Sequence, residues 1–65
     1  MIILNNDQYQ CQENATIQKI IDENNFVYKL LVVKLNGEVI EEYLWQQTTV
    51  SEGDDLQILH LFGGG

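Results

Sequence analysis

Three consecutive glycines, Gly63, Gly64 and Gly65, follow the apolar run from Leu56 to Phe62. A glycine has no side chain, so a run of glycines is costly to order unless a partner must approach the bare backbone closely. Three extended residues span roughly 10 Å, enough to pass an α-carboxylate through a narrow tunnel. We therefore expect the reactive group to be the Gly65 carboxylate, with Gly63 and Gly64 as the segment that enters the partner. The glycines alone also fit a frayed terminus or a cloning remnant.

Other side chains with reactive groups stand alone. His60 is the only histidine and Cys11 the only cysteine, so neither a metal cluster nor an intramolecular disulfide is expected, and the setting should be reducing. Ser51 and Thr48 have no neighbouring base to activate them. A chain of 65 residues buries only about 60% of its unfolded surface, which leaves little room for an internal active site. We expect no enzymatic activity of its own.

Composition limits the partners. A hydrophobic content of 45% predicts a folded core, and a formal charge of −7 with only three lysines leaves no basic stripe for nucleic acid. Acidic charge favours a basic protein partner, although simple solubility explains most individual acids. No apolar run approaches the ~20 residues of a membrane span, and the apolar start is too short for a signal peptide. We expect a cytoplasmic protein that binds neither nucleic acid nor membrane.

The first half of the chain predicts two strands. Residues 1–4 are apolar and rich in isoleucine, and the following Asn5-Asn6-Asp7 is suited to a tight turn. Residues 8–13 alternate, with Tyr9 and Cys11 on one side, which is typical of a half-buried strand.

A short amphipathic helix comes next. Thr16 is a suitable N-cap, and Ile17, Ile20 and Ile21 fall on one helical face. The helix is expected to end near Asn24-Asn25, where asparagine tolerates a left-handed backbone.

The second half predicts three more strands around a hairpin and an irregular crossing. Asn36-Gly37 is a strong hairpin signal, and Trp45 is expected to anchor the irregular segment on the core. The remaining predicted elements are a strand over 30–35, its partner over 38–40, a short turn or 3₁₀ segment within 41–47, a turn over 51–54 and a last strand over 55–62.

This order predicts an α+β fold in which one helix packs across a small mixed sheet of about five strands. The first and last strands are expected to lie side by side at the centre and to run parallel. We assign residues 1–62 to one domain and residues 63–65 to a flexible C-terminal glycine tail.

Several motifs together resemble the β-grasp, ubiquitin-like fold and, more narrowly, the ThiS-type sulfur carriers of thiamin biosynthesis. Asn5 departs from the family pattern, since an apolar residue often completes the first strand there, and we expect that strand to be short. The matching motifs are Met1-Ile2-Ile3-Leu4-Asn5-Asn6, Ala15-Thr16-Ile17, Val33-Lys34-Leu35-Asn36-Gly37-Glu38-Val39-Ile40, Trp45, Glu52-Gly53-Asp54 and Ile58-Leu59-His60-Leu61-Phe62-Gly63-Gly64-Gly65.

The resemblance implies a carrier whose Gly65 carboxylate is adenylated by a ThiF-type enzyme with ATP and magnesium. A sulfur donor system would convert it to a thiocarboxylate, which gives its sulfur to a ThiG-type thiazole synthase. A carboxylate with a pKa of about 3.5 is ionised at neutral pH, and it is then a poor electrophile that requires such activation. No cofactor would be bound by the chain itself. There are two alternatives. One is a carrier that delivers sulfur to molybdopterin or another metabolite, and the other is a non-covalent β-grasp interaction module.

The last strand has apolar residues on both faces near its end. Leu56 and Ile58 alternate with Leu59 and Leu61, and Phe62 follows. Because exposed apolar patches commonly mark interfaces, we expect Leu59, Leu61 or Phe62 to contact a partner. Ordinary core packing on both faces is the alternative.

Overall fold

The computed structural model describes residues 1–24 and 31–60. They form one mixed sheet of five strands in the order β2-β1-β5-β3-β4, with a helix and a 3₁₀ turn. The sequence prediction of a mixed sheet with one packed helix is therefore confirmed. The elements are β1 Ile2–Leu4, β2 Asp7–Tyr9, α1 Ile17–Glu23, β3 Leu31–Leu35, β4 Glu38–Ile40, a 3₁₀ turn Glu42–Leu44 and β5 Asp55–His60.

The first hairpin depends on two asparagines. Asn5 and Asn6 have φ angles of 49° and 72°, the left-handed values that a two-residue turn between antiparallel strands needs, and asparagine tolerates them better than most residues. The turn joins β1 to β2, with Leu4 opposite Asp7 and Ile2 opposite Tyr9. The expectation of a short first strand is confirmed.

The second strand was predicted too long. It was expected over residues 8–13, but β2 runs from Asp7 to Tyr9, because β1 offers only three residues and its first one already pairs with Tyr9. Cys11 lies beyond the strand, yet it is half-buried and packs against the core, as the alternation predicted.

The helix begins as predicted. The Thr16 hydroxyl accepts a hydrogen bond from the Lys19 amide at 3.1 Å, and Ile17, Ile20 and Ile21 are buried. It ends at Glu23 with Asn24 as the C-cap, as expected, although Asn24 has a φ of −100° and is not left-handed; Asn25 lies outside the described residues. The Asn24 side chain instead donates to the Ile20 carbonyl at 2.8 Å, so a side-chain bond stabilises this helix end.

Replacing Thr16 with alanine should lower the free energy of unfolding by about 1 kcal/mol, because the helix loses its N-cap acceptor. Urea denaturation would measure this loss. Gln18→Ala is the matched control in the same helix, since it removes only an exposed i,i+4 bond to Asp22, worth about 0.3 kcal/mol. Equal losses in the two variants would show that the cap contributes nothing.

The second hairpin also uses a left-handed pair and is tied to β5. Asn36 and Gly37 have φ angles of 53° and 85°, as a two-residue turn requires. The Asn36 side chain accepts from the Asp55 amide at 2.9 Å and donates to the Asp54 carboxylate at 3.2 Å. The turn that joins β3 to β4 therefore also fixes the start of β5.

The segment after β4 places an aromatic anchor on the core. Trp45 is 7% exposed, and its indole Nε1 donates to the Ile40 carbonyl at 3.0 Å. The prediction that Trp45 is a structural anchor is confirmed. A buried tryptophan usually finds such a partner, because an unpaired N–H would be costly.

A single apolar cluster lies between the helix and one face of the sheet. Half-buried Tyr9 packs against it, and its hydroxyl donates to Glu23 at 3.1 Å. Desolvation raises the pKa of this phenol above its ordinary value. The buried members are Ile2, Leu4, Ala15, Ile17, Ile20, Ile21, Val33, Trp45, Val50, Leu56 and Ile58.

The helix α1 is far too short to span a bilayer, and no membrane-crossing helix is found in residues 1–24 and 31–60.

Candidate functional site

The last strand is the element that leads toward the predicted reactive end of the chain. It has six residues, Asp55–His60, and lies at the centre of the sheet between β1, to which it is parallel, and β3, to which it is antiparallel. The prediction that the first and last strands lie side by side is confirmed. A central strand held from both sides is a rigid base for whatever follows it.

The two faces of β5 differ sharply in exposure. Leu56 and Ile58 are 0% and 2% exposed, whereas Leu59 is 46% exposed. Successive side chains of a strand point to opposite faces, so Leu59 lies on the face that the helix does not cover. Of the apolar residues predicted to contact a partner, Leu59 is the one that the structure describes. Leu61 and Phe62 lie outside the described residues, as do Gly63, Gly64 and Gly65.

The uncovered side of the sheet, which we call the open face, contains an apolar patch around Leu59. Val32 lies directly opposite Leu59 in the register of β3 and β5, and Lys34 lies opposite both Gln57 and Val39. Val39 is 53% exposed. The open face consists of the strand residues whose side chains point away from the core, namely Ile3, Gln8, Val32, Lys34, Val39, Asp55, Gln57 and Leu59.

Among the described residues, Lys34 is the only cation on the open face. The whole chain has a formal charge of −7. The apolar side chains of Val32, Val39 and Leu59 lie around this single lysine. Such a mixed patch is typical of protein interfaces rather than of nucleic-acid sites. The patch is therefore suited to a protein partner.

The backbone fixes the position of β5 relative to β1. The Ile3 amide donates to the Asp54 carbonyl at 2.8 Å, and the Asn5 amide donates to the Leu56 carbonyl at 3.0 Å. On the other side, the pairing with β3 extends to Leu31 opposite His60. The last described residue of β5 is thus still part of the sheet.

The described residues offer little chemistry of their own. Residues 1–24 and 31–60 contain no group of three or more histidine, cysteine, aspartate or glutamate side chains that could bind a metal ion. The Thr48 hydroxyl donates to the Leu44 carbonyl at 2.9 Å, which occupies its proton in a structural bond. His60 is half-buried on β5.

A cleft of about 310 Å³ lies beside Cys11, Ser51 and Glu52. It is at the end of the sheet where β1 and β5 begin, because its lining includes Met1 and Ile2, and the two strands are parallel. The exit of β5 is roughly 20 Å away along the strand. The thiol and the hydroxyl of this cleft therefore lie at the opposite end of β5 from His60.

Sequence reasoning missed most of the open face. The run over 30–35 was predicted to be a strand, without assigning its residues to faces. Applying the two-residue period to Leu31–Leu35 would have placed Val32 and Lys34 together, opposite Val33. The pairing of Val32 with Leu59 depends on the sheet order, which no local signal specifies.

A five-stranded mixed sheet with parallel central strands and one helix across a single face defines a β-grasp, ubiquitin-like protein. The sequence model of the ThiS family matches residues 2–65. The chain belongs to the ThiS family, and the resemblance to ThiS-type sulfur carriers noted from the motifs is confirmed.

Two solved structures agree with this assignment. The crystal structure of the thiamine biosynthesis protein ThiS from Geobacter metallireducens is similar with a TM-score of 0.82 and 27% identity, covering 98% of this chain and 97% of that one. The solution structure of a thiamine biosynthesis protein from the same organism gives a TM-score of 0.76 at 28% identity, covering 98% and 86%.

Two uncharacterised proteins named ycf40 are also similar. The one from Porphyra purpurea is 23% identical and the one from Pyropia yezoensis 25% identical, each over 98% of this chain and 90% of the relative. The likeness thus extends over nearly the full length of each protein compared.

Proposed function

We propose that this protein carries sulfur for thiazole formation in thiamin biosynthesis, as a thiocarboxylate on the Gly65 carboxylate. The observation that supports this most directly is the match of the ThiS family to residues 2–65, which includes Gly63, Gly64 and Gly65. In this proposal residues 1–62 are the folded domain and residues 63–65 are a flexible tail that enters the active site of a partner.

The proposed chemistry begins with adenylation by a ThiF-type enzyme. One carboxylate oxygen of Gly65 attacks the α-phosphorus of ATP and displaces pyrophosphate, with magnesium neutralising the phosphates. Hydrosulfide supplied by the donor system then attacks the acyl carbon; a C–S bond forms, the bond to AMP breaks, and the sulfur loses its proton. The resulting thiocarboxylate donates its sulfur to a ThiG-type thiazole synthase. The carrier is a substrate in each step and supplies no catalytic group.

The folded body contributes position. β5 is held by β1 as far as Leu56 and by β3 as far as His60, and the five residues after His60 reach at most about 17 Å when extended. An activating enzyme that binds the body therefore finds the carboxylate within a small volume, which raises the effective concentration of the reacting groups.

The open face is the proposed docking surface. Leu59, paired with Val32, is the residue of this face that we propose contacts the partner, together with Leu61 and Phe62, which were predicted from the sequence. The surrounding acidic charge favours a partner with a basic rim, since complementary charge accelerates encounter.

The proposed thiocarboxylate contains a sulfur that is readily oxidised, so the proposal places the protein in the reducing cytoplasm.

Mass spectrometry of the intact protein tests the proposal. Incubation with a ThiF-type enzyme, ATP, magnesium and a sulfur donor should raise the mass by the difference between one sulfur and one oxygen. Deleting Gly65 should abolish this increase while the fold stays unchanged. If wild type gains no mass under conditions in which a known carrier does, the proposal is wrong. A non-covalent interaction module would instead keep its binding and its phenotype after loss of Gly64 and Gly65.

Substitution of Leu59 by arginine tests the docking surface. We expect the KM for adenylation to rise about tenfold, a loss of about 1.4 kcal/mol, because a charge replaces an apolar contact at the centre of the patch. Stability should change little, since Leu59 is 46% exposed. Tyr43→Arg is the control, because Tyr43 is 74% exposed and lies on the 3₁₀ turn. An unchanged KM for Leu59→Arg would exclude Leu59 from the interface.

The sulfur acceptor is tested by reconstitution. The thiocarboxylate form, supplied to a ThiG-type thiazole synthase with its small-molecule substrates, should yield a thiazole and return the carrier to its original mass. Transfer to the large subunit of molybdopterin synthase and not to thiazole synthase would assign the carrier to the other pathway.

A further inference from the structure

Asn5 makes two hydrogen bonds from its side chain to one residue of the last strand. Its Oδ1 accepts from the Ile58 amide at 2.8 Å, and its Nδ2 donates to the Ile58 carbonyl at 3.2 Å. Both bonds are partly buried, and they join residues 53 positions apart in the sequence. A single side chain thus satisfies both backbone groups of Ile58.

These bonds occur where the backbone of β1 no longer follows β5. The pairing of the two strands ends with Leu4 opposite Leu56, after which the Asn5 amide donates to the Leu56 carbonyl. At Asn5, with its φ of 49°, the chain turns away toward β2. No β1 residue is left to face Ile58, and the Asn5 side chain takes that place.

The chemistry of the side chain suits this role. A carboxamide presents one acceptor and one donor in a plane, as a peptide group does, whereas a carboxylate offers only acceptors and an aliphatic side chain neither. Without a partner, the partly buried N–H and C=O of Ile58 would be left unsatisfied, which costs their desolvation with no bond in return. Asn5 therefore lengthens the β1–β5 pairing toward the exit of β5.

We infer that Asn5 is a positioning residue for activation, because it sets the last point at which β5 is held from the β1 side. This inference rests on the proposed function. After Ile58, the described pairing of β5 continues on the β3 side alone, with Val32 opposite Leu59 and Leu31 opposite His60.

Loss of the two side-chain bonds moves the last β1 contact from Ile58 back to Leu56. Gln57 and Ile58 are then held by β3 alone. If these two residues separate from the sheet, the segment that leads to the carboxylate becomes longer by about 7 Å. A longer free segment spreads the carboxylate over a larger volume and lowers its effective concentration in the partner.

The test compares Asn5→Gly with Thr16→Ala. Glycine accepts the left-handed backbone without strain and removes the whole side chain with its carboxamide. Thr16→Ala destabilises the domain at the helix, away from β5. For Asn5→Gly we expect hydrogen exchange of the Ile58 amide to accelerate about tenfold relative to that of Val33. We expect kcat/KM for adenylation to fall about fivefold, from the lost positioning. Thr16→Ala should change neither the exchange ratio nor kcat/KM at temperatures where it is folded.

A second variant separates the two hydrogen bonds. Asn5→Asp retains an acceptor for the Ile58 amide but sets a carboxylate oxygen against the Ile58 carbonyl, so we expect its exchange ratio to rise at least as much as that of Asn5→Gly. The inference is overturned if Asn5→Gly matches Thr16→Ala in either the exchange ratio or the adenylation rate. Failure of the proposed function has a different signature, namely that wild type itself is not adenylated while Ile58 exchange still responds to Asn5.

Discussion

Replacing Gly64 with valine should lower kcat/KM for adenylation about 100-fold, the size of effect expected when a reacting group is displaced by about 1 Å in a confined site. A β-branched residue restricts the backbone and adds bulk next to the terminal carboxylate. Glycine has neither restriction. Steady-state kinetics of pyrophosphate release with a ThiF-type enzyme would measure the loss, and the domain itself should unfold at the same urea concentration as wild type.

Two control variants make this result specific. Gly64→Ala adds a single methyl group and should produce a smaller loss, so the series glycine, alanine, valine should be graded by size. Ser51→Val places the same valine in an exposed turn and should leave kcat/KM unchanged. Equal rates for Gly64→Val and wild type would show that the tail does not enter a narrow site, and the threading role of Gly63 and Gly64 would then have to be abandoned.

Local chemistry was enough to predict the turns and the helix start. Asn36-Gly37 and Asn5-Asn6 take left-handed backbones because few other residues do so cheaply. Thr16 caps the helix because its hydroxyl reaches an amide three residues on. Each of these features depends on residues within one turn of each other, so the sequence specifies them directly.

The ends of strands were less predictable, because the length of the neighbouring strand determines where pairing stops. The alternation around Tyr9 continues to Cys11 in the sequence, but β2 ends at Tyr9, where β1 has no further residue to pair. The helix does end near Asn24, as predicted, but the bond from the Asn24 side chain to the Ile20 carbonyl was not predicted. Neither competing interaction leaves a periodic signal.

Only part of the candidate site was predicted, because its other residues come from neighbouring strands. Leu59 was identified from alternation along its own strand, and its exposure agrees with that interpretation. Its neighbours on the open face, Val32 and Lys34, come from a strand more than twenty residues earlier in the sequence. The carboxamide of Asn5 meets Ile58 across 53 positions. Contacts of this length follow from the sheet order, which emerges only when the whole core is assembled.

Replacing Leu56 with alanine should have the largest effect on stability. Leu56 is fully buried at the centre of the core, and removing a buried leucine side chain costs about 2–5 kcal/mol. A domain of this size has a total stability of about 3–10 kcal/mol, from 0.05–0.15 kcal/mol per residue. The variant should therefore be largely unfolded or unfold at a much lower urea concentration, as followed by far-ultraviolet circular dichroism.

Leu59→Ala is the matched control, because it is the same substitution on the same strand but on the open face. With Leu59 46% exposed, the loss should stay below about 1 kcal/mol, since less apolar area is returned to water. Similar losses for the two variants would contradict the assignment of the two faces of β5. A large loss for Leu56→Ala alone separates the two roles of the strand, one face holding the domain together and the other left free for a partner.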